Sequence, residues 1–435
     1  MLYHAYEFNY SMFKPLRQFA TLGKHVFGSP ANPMAYLPAG RSAVATCELV
    51  ESLTRRYHKP EWKLPQTVIN DQVVPVEPQV VAHKPFCNLV HFKREPGAFL
   101  EAAGEDAVQP RILLVAPLSG HYATLLRGTV ESLMQSNEVY ITDWINAKEV
   151  PFSEGKFDLN DYIDYLIEFM EFLGPDTHVV GVCQPGPAIL SAVSVMSAAD
   201  SPSLPASMTV MGSPIDTRRS PTVPNKLAEE RPLSWFKSNL VHAVPWPNPG
   251  FMRTVYPGFL QLGGFITMNQ ERHTEAMKQY FNHLVVGDQD SAERHRDFYD
   301  EYLSVLDLTA EFYLQTIEDI FQKHKIAKGE FYHHGELVEP SAITKVALMT
   351  VEGELDDISG IGQTQAAHDL CTSIPEAMRV DYVQPGVGHY GVFNGSRFRQ
   401  QIVPRMNEFF RRYFDTETES ELRAANPALD LPRLS

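Results

Sequence analysis

The stretch Gly181-Val182-Cys183-Gln184-Pro185-Gly186 constrains the fold of this chain more than any other. It ends a short apolar run, His178 to Val182, of the kind that forms a buried parallel strand, and it opens Gln184 to Ala198, a helical segment rich in small residues. A strand that passes into a helix through a tight turn of small residues pushes the side chain at the turn out at the carboxyl edge of the sheet. Cys183 occupies that point, close to a helix N-terminus, where the dipole favours a thiolate. Such turns usually carry glycine two residues after the nucleophile, and here the place is held by Pro185. Proline is tolerated there because its missing N–H would have no helical partner. A lone cysteine is more often a buried core residue; its position at a strand end is what separates Cys183 from that case.

A turn of this kind needs a parallel sheet around it, and the flanking sequence supplies one. Arg111 to Pro117, Val139 to Trp144, Met208 to Met211, Val346 to Thr350 and Val380 to Val383 read as further strands. Tyr122 to Met134, Asp161 to Leu173 and Arg397 to Phe414 read as helices; in the second, Tyr162, Tyr165, Leu166, Phe169 and Phe172 fall on one face. Strands alternating with helices predict a doubly wound, mainly parallel α/β sheet. The alternation stops between Asp216 and Ala347, where aromatic residues among prolines precede helical segments such as Phe298 to His324. That stretch reads as an inserted, mostly helical cap. Ahead of the core, Tyr10 to Lys24 and Ala43 to Tyr57 read as helices, and Gln79 to Ala82 and Cys87 to Phe92 as a strand pair around a His83-Lys84-Pro85 turn. The expected organisation is an N-terminal helical extension over 1–70, a core over 71–216 and 341–415, a cap over 217–340 and a disordered polar tail over 416–435.

Two further loops can carry chemistry with Cys183. Val351 to Asp357 directly follows the strand Val346 to Thr350, where this architecture places an acid; Asp356 is the first choice, Asp357 the second, and Asp216 a weaker candidate from another loop. Adjacent acids on a loop are otherwise often solvent-facing or helix-capping. Gln384 to Gly391 follows the last strand and flanks His389 with glycines, which give the freedom to bring an imidazole over the sheet edge. The chain order Cys183, Asp356, His389 is the nucleophile, acid, base order of the α/β-hydrolase fold. An oxyanion hole would take one backbone N–H from Gln184 and one from Leu118 or Ser119 in the loop after the first core strand. The same loop also reads as a plain strand-to-helix turn capped by Ser119, and the two readings are compatible.

Composition narrows the partners. Asp and Glu number 53 against 37 Lys and Arg, a formal net charge of −16, so nothing global favours a phosphate backbone or an anionic membrane. The four cysteines, Cys47, Cys87, Cys183 and Cys371, lie far apart without a C-x-x-C pair, which argues for a reducing compartment and against a disulfide framework or structural zinc. No pair among the 16 histidines shows convincing metal-ligand spacing; the adjacent His333 and His334 are not expected to present one coordinating face. No cofactor is called for. Neither a signal peptide nor an apolar run long enough to span a bilayer is visible, and the oligomeric state, self-association included, stays open.

Phe86 to Phe92, Val115 to Arg127, Tyr140 to Ile145, Val182 to Pro185, Tyr256 to Gln261 and Ala347 to Ser359 together resemble the intracellular polyhydroxyalkanoate (polyhydroxybutyrate) depolymerase family. The Cys-Gln-Pro turn and the Glu-Leu-Asp-Asp loop are its most specific features here. The resemblance implies an α/β-hydrolase that cleaves ester bonds of poly(3-hydroxybutyrate) at granules inside bacterial cells, with Cys183, Asp356 and His389 as a triad. Polyhydroxyalkanoate synthases are similar in fold and also use a cysteine, but usually show Gly and Asp-His where this chain has Pro185 and Asp357. Transfer of the acyl group to coenzyme A instead of water stays open, as does a non-catalytic granule-coat role. The aromatic residues Trp235, Trp246, Phe251, Tyr256 and Phe259 are candidates for a polymer-binding surface or lid, against the alternative that they build the core of the cap.

Overall fold

Short apolar runs bury both faces of a strand only if helices cover both sides, and the computed structural model arranges them so. It describes residues 2–104, 107–268 and 270–414; the tail expected over 416–435 lies outside them. Before the insertion come β1 (Gln66–Ile69), β2 (Gln72–Lys84), β3 (Cys87–Arg94), β4 (Arg111–Val115), β5 (Glu138–Trp144), β6 (Thr177–Val182) and β7 (Ser207–Met211). Within it lie β8 (His242–Ala243), β9 (Thr254–Tyr256), β10 (Leu308–Thr309), β11 (Tyr332–His333) and β12 (Glu336–Leu337). After it come β13 (Ala347–Gly353) and β14 (Arg379–Gln384).

One nine-stranded sheet runs in the order β1-β2-β3-β5-β4-β6-β7-β13-β14. From β5 to β14 all neighbours are parallel, while β1, β2 and β3 continue the sheet antiparallel at one edge. Every residue of β4, β6, β7 and β13 is buried, as a parallel sheet covered on both faces requires. The expected strand pair is present as β2 and β3, longer than read and joined by β1, which sequence reading did not find.

The segment expected as one helix from Phe298 to His324 is broken. A helix ends at Tyr302, β10 pairs antiparallel with β9, and a new helix, Ala310–Thr316, passes into a π-helical turn, Ile317–Gln322. The break follows from contacts outside the segment. Leu306 donates its N–H to Gly120 O (2.7 Å), and buried Asp307 accepts from Gly258 N (2.8 Å) and from the Tyr3 hydroxyl (2.7 Å). These bonds fix the chain in a non-helical path against the loop after β4. They also tie the first helix, Leu2–Met12, to the insertion. Burial pushes the Asp307 carboxyl above the usual carboxylate range, so its partners matter. Tyr3→Phe, which strips one partner from a buried carboxylate, is expected to cost about 1–3 kcal/mol of stability in denaturant unfolding. A loss under about 0.3 kcal/mol would show that Asp307 finds water instead.

Candidate active site

Cys183 stands between β6 and the helix Gly186–Ala198 with φ of 68°, a left-handed conformation that non-glycine residues rarely adopt and that here aims the side chain away from the sheet. Its N–H donates to Met211 O at 2.8 Å, so β7 braces the turn. Close packing explains the small residues around it. A Cβ on Gly181 would lie 2.3 Å from Ile189 Cδ1, and one on Gly186 would lie 2.4 Å from Ser213 Cβ. Cys183 is half-buried at the floor of a cavity of about 460 Å³. Cys87 and Cys371 are poor nucleophile candidates by comparison: burial pushes the Cys87 thiol well up and that of Cys371 up to about 12.

His389 is buried at the start of a short turn after β14, and its Nδ1 lies 2.8 Å from Asp356 Oδ2. The other carboxylate oxygen, Oδ1, accepts from Ile358 N (2.9 Å) and Ser359 N (2.8 Å). Both oxygens of Asp356 are thereby fixed. The Cys183 side chain lies close enough to the imidazole to act on its charge. Burial alone would lower the His389 pKa, but the neighbouring Cys183 sulfur and the Asp356 carboxylate outweigh it and hold it up at about 10. The structure thus brings Cys183, His389 and Asp356 together. Asp357 instead faces the cavity, and Asp216 is held by Arg218 through two bonds of 2.7 and 2.8 Å.

Gly212, the residue after β7, has φ of 54° and leaves just the room the pair needs. A Cβ there would lie 3.2 Å from His389 Cε1 and 3.3 Å from Asp356 Oδ2. Leu118 donates its N–H to Gln184 Oε1 at 3.1 Å, and Leu118 and Ser119 both border the cavity.

Of the five aromatic residues singled out in the insertion, Tyr256 alone lines the cavity, with its ring 4.1 Å from that of Tyr313. The others lie elsewhere. Trp235 packs edge-on against Phe236, Phe259 packs against Tyr3 and Tyr6 of the first helix, and Trp246 (77% exposed) and Phe251 (46%) lie on the outer surface. The apolar wall is built by Phe312, Tyr313, Ile317 and Phe321, which sequence reading missed. Tyr313, Ile317 and Phe321 are spaced by four residues each, a helical face inside the segment Phe298 to His324, and the spacing alone does not say which neighbour that face meets.

A correction concerns His333 and His334. Adjacent residues on a strand point to opposite faces, yet His334 has φ of 48°, which turns its ring back. His333 Nε2 lies 2.9 Å from Asp164 Oδ1 and His334 Nε2 lies 2.7 Å from Asp164 Oδ2. The two rings therefore converge on one carboxylate.

Residues 212–414 match the family model described as PHB de-polymerase C-terminus. A curated relative, the poly(3-hydroxyalkanoate) polymerase subunit PhaC of Haloferax mediterranei, is 24% identical over 114 residues. That match spans 26% of this chain and 22% of the relative, so the chain matches about a fifth of its length. Among solved structures, a soluble variant of the monoglyceride lipase of Saccharomyces cerevisiae is similar at 13% identity and a TM-score of 0.46, covering 78% of this chain and 96% of that one. A thermophilic esterase of Thermogutta terrifontis is similar at 12% identity and a TM-score of 0.40, covering 79% and 95%. The fold assignment itself stands on the strand order and the strand-to-helix turn at Cys183. The chain thus has the α/β-hydrolase fold, and residues 212–414, somewhat under half of its length, match the PHB de-polymerase C-terminus family.

Proposed function

We propose that the chain hydrolyses ester bonds of poly(3-hydroxybutyrate) or a related polyhydroxyalkanoate through a covalent intermediate on Cys183. The observation that carries this reading is the strained Cys183 facing the His389–Asp356 pair at the floor of a largely apolar cavity. His389 takes the thiol proton while Asp356 holds the ring and supports its positive charge. The Cys183 sulfur attacks the ester carbonyl carbon, and the alkoxide end of the cut chain leaves with the proton from His389. A 3-hydroxyacyl thioester remains. His389 then takes a proton from water, the hydroxide attacks the thioester, and the acid departs as the Cys183 sulfur is released.

The developing oxyanion needs donors already in place. Gln184 N–H is one. For the second, the Gln184 side-chain oxygen, itself an amide carbonyl, rests 3.1 Å from Leu118 N–H and marks where a substrate oxygen would sit. In this reading Leu118 rather than Ser119 supplies the second donor, and the substrate displaces the Gln184 amide.

Residues 217–340 act in this proposal as a cap that supplies the apolar wall, set on a core over 71–216 and 341–415 with a helical extension over 1–70. The site of action is a polymer granule in the cytoplasm. Among the described residues no helix is long and apolar enough to cross a membrane.

The test is product release from amorphous poly(3-hydroxybutyrate) granules, with and without coenzyme A. Free 3-hydroxybutyrate or its oligomers without coenzyme A is the expected result. A coenzyme A thioester as sole product would replace water by a thiol acceptor, and no product in either arm would overturn the reading. A second expectation concerns Gly212→Ala, which adds a methyl group beside the His389–Asp356 pair at a positive φ. It should lower kcat by about 10- to 100-fold without unfolding the protein, the scale of loss that a small misplacement of a catalytic group brings. Unchanged kcat on a soluble acyl ester would show that the pair tolerates the crowding.

A further inference from the structure

We propose that Asp164, His333 and His334 form a binding site for a single divalent transition-metal ion, best suited to zinc, which fastens the β11–β12 hairpin of the insertion to the core helix Leu159–Leu173. The ligand-capable oxygen and nitrogens of the three residues all lie within 4.8 Å of one another. Two separate elements contribute. Asp164 projects from the helix Leu159–Leu173, and the histidines come from a hairpin whose two-residue turn, His334-Gly335, has both residues at positive φ (48° and 89°). That turn geometry matches the twist of a tight hairpin. It also places the second imidazole beside the first, with ring centroids 4.4 Å apart.

Donor chemistry selects the class of ion. Two imidazoles and one carboxylate suit zinc, nickel, cobalt or copper, whereas calcium and magnesium favour all-oxygen sets. Zinc bonds of about 2.0–2.1 Å place tetrahedral ligand atoms roughly 3.3 Å apart. The present separations of 2.9 and 2.7 Å from nitrogen to carboxylate oxygen reach that value by small side-chain rotations. Each ring would keep its proton on Nδ1 and offer Nε2 to the ion. His333 is buried, Asp164 half-buried and His334 exposed, so the cluster has a buried anchor and a face open to solvent through which an ion and its water ligand can enter. None of the three residues lines the cavity at Cys183, which makes this a site of attachment and not of the ester chemistry.

The experiment is zinc titration by calorimetry and thermal melting on chelator-stripped full-length protein carrying Cys183→Ser, so that the thiol does not compete for the ion. One equivalent should bind with micromolar or tighter affinity and raise the melting temperature by a few degrees at a hundredfold excess over Kd. His334→Ala, at an exposed position, and Asp164→Asn, which keeps the side-chain shape, should each weaken binding at least about tenfold, as loss of one of three ligands would. Titration without a saturable single site, or both variants binding as tightly as the parent, would overturn the proposal and leave a hydrogen-bonded His-Asp-His cluster.

Discussion

Replacing Cys183 by serine is expected to reduce ester hydrolysis by roughly four to six orders of magnitude, the scale seen when a triad loses its nucleophile, while circular dichroism and thermal melting stay close to those of the parent. Sulfur and oxygen differ little in size, and the strained turn is held by backbone: the Cys183 N–H to Met211 O bond and the close approach at Gly181 and Gly186 do not involve the thiol. What serine loses is the match to its base. His389 keeps its proton to about 10 because a sulfur that shares charge with it and the Asp356 carboxylate lie alongside. A thiol can yield its proton to such an imidazole near neutrality; an alcohol, far less acidic, cannot. Cys183→Ala should be as inactive as the serine variant. Mass spectrometry of the parent after rapid quenching with an activated ester should find the acyl mass on Cys183. A serine variant within about tenfold of the parent would remove the thiol from the chemistry, since a triad does not survive that loss so lightly.

The catalytic candidates were legible because each stands at the end of a strand, where short-range pattern speaks. The apolar run and small residues around Cys183 predict a strand-to-helix turn, and φ of 68° is its local expression. The acid loop after β13 and the histidine loop after β14 were found by the same rule. Position in the loop prefers Asp356 to Asp357, and in the structure the hydrogen bond to His389 falls on Asp356 while Asp357 faces the cavity. The insertion was far less legible because its path is set by distant partners. Leu306 and Asp307 leave the helical course through bonds to Gly120, Gly258 and Tyr3, residues 186, 49 and 304 positions away by subtraction of their numbers. Nothing in the local spacing around Asp307 signals those bonds. The aromatic residues of the insertion show the same limit: a ring's identity does not say which neighbour it will meet. Phe259 found Tyr3 and Tyr6, while the cavity wall fell to Phe312, Tyr313 and Phe321 further along the insertion. His334 failed for a backbone reason, because strand alternation does not hold through a residue at positive φ.

Asp356→Asn should lower kcat by about three to four orders of magnitude, as the loss of an orienting carboxylate does in other triads, and Asp357→Asn by less than about tenfold. The shape of the side chain survives, but an amide offers His389 Nδ1 no charge and can present its NH₂ instead of its oxygen, favouring the wrong tautomer. The pH profile separates this from a general loss of structure. Asp356 is among the causes that raise the His389 pKa, so without it the imidazole gives up its proton at lower pH. The alkaline limb of kcat/KM, expected near 10 in the parent, should therefore move towards neutrality in the variant. Stability follows the same sign. A histidine with its folded pKa raised from 6.5 to about 10 contributes stability that is fully present below 6.5 and is lost as pH rises through 10. The difference in stability between parent and Asp356→Asn that comes from His389 should therefore be largest below about pH 6.5 and shrink towards pH 10. If Asp357→Asn carried the larger loss and the shifted limb, the acid would be the residue that faces the cavity, and the Asp356 hydrogen bond to His389 would be a prop for the loop alone.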